Sequence, residues 1–314
     1  MTTTTTAPST KRKFSGTLNF PAPIKQGATA LRRAGIDWTV TGHPVGNLTA
    51  KEYAGSNRWV AAIRDDNDQM IGMNGTRHEV VQNSALAELG DAIIQMNAGF
   101  SYTGGGGFPQ GDKTYLILTG ERNIQFGGSD DLGFNAILLT NDFNGNSPVV
   151  ATGFIGRLGC TNQIAGLARG RKKGSQRLVS VAHTASASWK IQAAKDTLRE
   201  IVHEMDATER ELQRMLEVTM TEDEAVRLAV GVEPDADADA RTQTTWEDKR
   251  ATFLGELHAP WNEHIANTAL GVVMAAQGID EHASRSADRD KARIDRLITA
   301  NFPTMRKVLA GIAR

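Results

Sequence analysis

Cysteine is nearly absent: Cys160 is the only one in 314 residues. An internal disulfide is therefore excluded, and the composition fits a reducing cytoplasm. No C-x-x-C occurs, and the seven histidines (His43, His78, His183, His203, His258, His264 and His282) include no i, i+4 pair. The spacing of a helical or finger-type zinc site is thus missing, and the histidines are expected to be solvated or locally hydrogen-bonded. His258 and His264 stand six apart across Pro260, a weak ligand spacing. No metal or other cofactor is expected. Long apolar runs are missing too: none approaches the roughly 18–20 residues that span a bilayer, so no membrane partner is expected. A net charge is also lacking. Lys+Arg total 35 and Asp+Glu 36, a formal charge of −1. The chain as a whole is no polyelectrolyte, and contact with nucleic acid has to use a local patch.

What is present falls into two halves. The opening MTTTTTAPSTKRKF has no apolar core behind its charges. It reads as a disordered tail with a small basic cluster, Lys11, Arg12 and Lys13, rather than a secretory signal. Residues 1–32 form this tail and its lead-in. Residues 33–184 are expected to be a β-rich domain. DWTV, RWVAAIR, QMIGMN, TYLILTG, FNAILLTND and SPVVATGFIGRL are β-branched or apolar runs, bounded by the turn-rich pieces DDND, GGGG, GGSDD and NDFNGNS. One helix interrupts them at NSALAELGDAIIQM, where Leu86, Leu89, Ile93 and Met96 share a face.

Residues 185–314 change period. Ile191, Ala194, Leu198, Ile201, Met205, Thr208, Leu212 and Met215 alternate steps of three and four, which predicts a helix of about six or seven turns with a coiled-coil-like stripe. Thr221 and Glu224 form a capping-box pattern for a short helix ending at Gly231. The acidic EPDADADA near 233–240 reads as an exposed, mobile linker. Further helices are predicted around 245–257, 261–280 and 286–313. The fold class is α+β.

Several near-motifs point away from chemistry. GGFPQGDKT, Gly106–Thr114, almost spells a phosphate-binding P-loop, but Asp112 separates glycine from Lys113, and the segment opens a strand where a P-loop opens a helix. A loose hairpin loop is expected there. Asp65–Asp68 lacks the glycine and distal glutamate of a calcium loop and reads as a hairpin turn. Cys160, in GRLGCTNQ at a strand-to-helix junction, is expected to be a buried small residue rather than a nucleophile.

The exception to the neutral balance is RGRKKGSQR. Five of these nine residues are basic: Arg169, Arg171, Lys172, Lys173 and Arg177. The segment follows TNQIAGLA, which has helical character, and leads into LVSVAHT, the last strand of the β-half. Gly170, Gly174 and Ser175 keep it pliable. A flexible guanidinium-rich loop follows phosphates without reading bases; a solvated loop that keeps the protein soluble is the plain alternative. Trp59, Tyr102, Phe108 and Tyr115 offer base-stacking surfaces in principle, although core packing is the expected use of each.

IRDDNDQMIGMNGTRHEVVQN, YLILTG, ILLTNDFNGNSPVVATGFIGRLGCTNQ and VSVAHTASASWKIQAAKDTL occur in this order. Together they resemble the phage/plasmid-like protein family, domain of unknown function number 932, found in bacteriophages, prophages and plasmids. GIDWTVTGHPV resembles its opening segment and NTALGVVMAAQGIDEH its closing helix. The resemblance covers roughly residues 33–283, and the block from Arg157 through Cys160 and Asn162 to His183 is its most specific part. The family's His-Asp-Gly turn is replaced here by Phe143, Asn144 and Gly145, so that turn is not expected to be an active site in this chain. Leu270 and Met274 stand where the family favours Trp and Asn. The resemblance implies a setting beside phage replication and recombination genes, and a distant similarity of some members to single-strand annealing proteins. The expectation is sequence-tolerant binding of single-stranded DNA, with strand annealing as its further form. No enzymatic step is implied, and a homo-oligomer is expected because annealing proteins commonly form rings or filaments. The alternatives are a phage protein-interaction factor acting through the helical half, and a hydrolase whose site follows no familiar motif.

Overall fold

The computed structural model describes residues 20–45, 59–96, 99–108, 111–125, 132–157, 163–165, 179–282 and 303–312. The Lys11–Lys13 cluster, the Arg169–Arg177 segment and Cys160 lie outside them.

A six-stranded antiparallel sheet organises the chain. It runs β4 (Phe100–Gly107), β5 (Lys113–Gln125), β6 (Leu132–Asp142) and β7 (Val149–Arg157). The far edge of β7 is shared by β8 (Gln163–Ala165), opposite Phe154–Gly156, and β9 (Val179–Val181), opposite Val149–Ala151. The central strands are apolar on both alternating sets, and the sheet is accordingly covered on both faces. Leu116, Leu118, Ile137 and Leu139 pack with α1 (Gly27–Ala34), α2 (Ser84–Gln95) and the start of α3 (Ala187–Glu217). Tyr115, Ile117, Ala136 and Leu138 pack under the C-terminal helices. The architecture is α+β, as the two periods of the sequence indicate.

Helix α3 joins the two layers. Its Ile191 and Ala194 are buried in the first cluster, and Leu212 and Met215 in the second. Both described ends of the long stripe therefore pack on the chain's own core.

A small sheet of β1 (Val40–Val45), β2 (Trp59–Arg64) and β3 (Met70–Gly75) sits beside the main one. The Asp65–Asp68 stretch is the β2–β3 turn. There Arg64 pairs with Asp66 at 2.7 Å, and Asn67 accepts the Gln69 N–H at 3.0 Å. Asp68 takes φ 57°. The P-loop-like segment likewise joins β4 to β5 as a hairpin, with Gly107 opposite Thr114.

Among the helices, α4 (Glu222–Ala229) starts on the complete Thr221–Glu224 capping box. The acidic linker ends in a cap: Asp239 accepts the Thr242 N–H at 2.9 Å and opens α5 (Ala240–Leu257). The last described helix, α7 (Pro303–Ile312), is capped from a distance by Asp280, which accepts the N–H groups of Thr304 and Met305 at 2.9 and 3.0 Å.

Four sequence expectations change. The 261–280 segment is not one helix; a 3-10 turn at Glu263–Ile265 precedes α6 (Ala269–His282). The break has a cause: Asn262, fully buried, donates its amide to the carbonyls of Leu257 and Gly271, both at 3.0 Å. Gly271 also lies so close that an added Cβ would meet the Ile265 carbonyl oxygen at 2.0 Å. TNQIAGLA, read as helical, contributes strand β8, because the free edge of β7 offers backbone partners that outweigh local periodicity. The 1–32 lead-in forms α1 at Gly27–Ala34 and bridges Ile24 to Tyr102. Finally, Trp59 is 54 % exposed, against the expected core role, whereas Tyr102 and Tyr115 are buried. No helix of the described residues is long and apolar enough to cross a membrane.

Candidate nucleic-acid interface

The basic segment ends at Arg177, and the first described residue after it is Val179, the start of β9. Three strand residues span about 10 Å. At the other end of that short strand lies a cavity of about 660 Å³. Its walls are Gly75 with Arg77 and His78, the Gly145–Pro148 turn, and the β9–α3 junction, Ser180 to Thr184 with Lys190. Its charged lining consists of the exposed Arg77 and Lys190. Among the described residues no carboxylate is part of the lining.

Buried amides fix the wall that carries Arg77 and His78. Asn83 donates to the Ile36 carbonyl at 2.9 Å and accepts the Thr114 hydroxyl at 2.6 Å. Asn141 donates to the Val81 carbonyl at 2.8 Å. The β6–β7 turn is held as firmly. Asn74 donates to the Phe143 carbonyl at 2.8 Å, Asp142 accepts the Asn144 N–H at 3.0 Å, and Asn144 donates to Asp112 at 3.0 Å. Phe143 is fully buried against Trp38, with ring centroids 5.4 Å apart. Gly145, at φ 75°, is where the turn needs glycine: a Cβ there would meet Asn74 Oδ1 at 2.5 Å. The Phe143–Gly145 turn thus buries Phe143 in the core, while Gly145 to Pro148 face the cavity.

His78 and His183 stack at the centre, with centroids 4.7 Å and planes 12° apart. The Glu79 N–H donates to the His183 carbonyl at 3.1 Å and ties the two segments together. His183 is only 7 % exposed, yet among the described residues neither of its ring nitrogens has a hydrogen-bond partner, and His78 Nε2 has none either. Burial pushes His183 down to about 4, and the neighbouring His78 adds to the effect. A contact with the Glu79 backbone, outside ordinary hydrogen-bond geometry, pulls weakly the other way. Burial also lowers His78, partly offset by the charge of Glu79. Both rings are therefore neutral at pH 7, each with one N–H donor and one acceptor. Among the described residues neither has the third orienting group of a nucleophile–base–acid relay. Among the described residues no group of three or more His, Cys, Asp or Glu side chains can hold a metal ion.

The structure thus gathers Arg77, His78, His183 and Lys190, none of which sequence reasoning selected. A signal existed: Arg77 and His78 lie in the first resembling segment, His183 and Lys190 in the last. The family model described as Domain of unknown function (DUF932) matches residues 70–301, a span that includes all four. No curated protein and no solved structure matches the chain.

Proposed function

We propose that this chain, which belongs to the Domain of unknown function (DUF932) family, binds single-stranded DNA in a sequence-tolerant way, as a phage-type recombination or replication factor in the host-cell cytoplasm. The observation that carries the reading is the cavity at one end of β9, whose charged lining among the described residues is Arg77 and Lys190; two residues beyond the other end of that strand stands the densest basic segment of the sequence. In this reading Arg169, Arg171, Lys172, Lys173 and Arg177, with Lys11, Arg12 and Lys13, neutralise phosphates along a strand. Arg77 and Lys190 extend the track by roughly a further strand length. Phosphate contacts carry no base code, so affinity varies little with sequence. Annealing needs two strands held by neighbouring protomers, and a homo-oligomer is part of the proposal.

A second reading, a protein-interaction factor, draws on a different observation. Trp59, Met70 and Met73 are 54, 56 and 44 % exposed on one face of the small sheet. Such a cluster suits a protein partner as well as a stacked base. A gel shift with labelled oligonucleotides at two salt concentrations separates the readings. DNA binding that weakens steeply with salt is expected from the first; no shift at low salt leaves the second.

A further inference from the structure

We propose that the His78–His183 cavity is a binding site for a terminal phosphate monoester, which makes it a strand-end site; this rests on the single-stranded DNA reading for its biological ligand. Charge selects the ligand class. Among the described residues, Arg77 and Lys190 supply two positive charges with no carboxylate in the lining, and neither forms an ion pair. A phosphate monoester carries about −1.5 to −2 at pH 7, against −1 for an internal diester. Size agrees: about 660 Å³ falls within the range of roughly 300–1,000 Å³ for small-ligand pockets, enough for a nucleotide end rather than a bare ion.

The second, independent observation is His183. A side chain this buried with both ring nitrogens unpaired costs free energy that a ligand oxygen would recover. Each neutral ring carries one N–H; the unpaired nitrogens are shielded from water in this conformation, and a shift of the ring would offer its donor to a phosphate oxygen. The hydroxyls of Ser147, Ser180 and Thr184 line the same space.

The test uses the full chain and one oligonucleotide sequence in three forms: 5′-phosphorylated, 3′-phosphorylated and without a terminal phosphate. Fluorescence anisotropy is expected to give at least about tenfold tighter binding for one phosphorylated form, about 1.4 kcal/mol. Millimolar inorganic phosphate should remove that gain but not the remaining affinity. Arg77→Ala with Lys190→Ala should weaken all three forms and abolish the difference between them. His183→Gln should shrink the gain while circular dichroism shows an intact fold. Equal affinity of all three forms for the wild-type chain overturns the proposal. If no oligonucleotide binds at all, the DNA reading fails separately, and calorimetry with inorganic phosphate decides the cavity. Saturable binding that Lys190→Gln abolishes supports the site, and no binding overturns it.

Discussion

Asn262 and His183 are both buried polar residues next to a helix N-terminus, and they are treated differently. Asn262 donates both amide hydrogens to backbone carbonyls and locks the entry to α6, where Ala269 to Met274 leave almost no exposed surface, although its Oδ1 has no partner among the described residues. His183, at the entry to α3, spends neither ring nitrogen and faces a cavity with two cations. The first arrangement closes a core. The second leaves its ring nitrogens unspent beside the cavity, although they are shielded from water in this conformation. Their neighbours Leu257 and Val181 belong to the cores on opposite faces of one sheet, so the contrast sets the two layers side by side.

The helical layer should then be indispensable. A chain ending at Thr184 uncovers Tyr115, Ile117, Phe134 and Leu138, which the C-terminal helices bury. It is expected to aggregate on expression, and a soluble monomeric 33–184 fragment in size-exclusion chromatography would break the comparison. Within the layer, Leu270, fully buried on α6, should cost about 2–5 kcal/mol as Leu270→Ala, measured by urea unfolding.

The cavity side should respond to pH instead. His183 has its pKa lowered to about 4 from 6.5, so between these values the unfolded chain binds more protons than the folded one. The stability is complete above pH 6.5 and is lost as pH falls toward 4. The slope is at most about 1.4 kcal/mol per pH unit for one proton. Comparing unfolding free energies of wild type and His183→Gln across that window isolates the contribution, and an identical slope in both would show that His183 is not the group responsible. At neutral pH the same substitution should change stability by less than Leu270→Ala does.

The sequence made the closed region easier to read than the open one, for physical reasons. The central strands repeat apolar residues on both faces, and Thr221 with Glu224 is a local device that acts within one turn. The Asp65–Asp68 turn is equally local. Strand β4 ends in four consecutive glycines, Gly104–Gly107, and shows no side-chain period there at all. Strand β8 is decided by the edge of β7 rather than by its own residues. The cavity is assembled from single residues of three segments, with Lys190 more than a hundred positions from Arg77. No spacing rule joins them. The exposed Trp59 is a similar case, since only the packing of the small sheet shows that this side chain stays 54 % exposed.

The smallest effect on folding and the largest on binding should come from Arg171, Lys172 and Lys173 changed together to Ala. Exposed charges contribute little to stability, and the unfolding midpoint should hardly move. Each phosphate neutralised on single-stranded DNA contributes about −0.7 to the slope of log affinity against log salt. With all three cations engaged, the triple variant should flatten the wild-type slope by about two units, equally for oligonucleotides of unrelated sequence. An unchanged slope, or a wild-type chain that binds no DNA at low salt, would contradict DNA binding and leave the interaction-factor reading in its place.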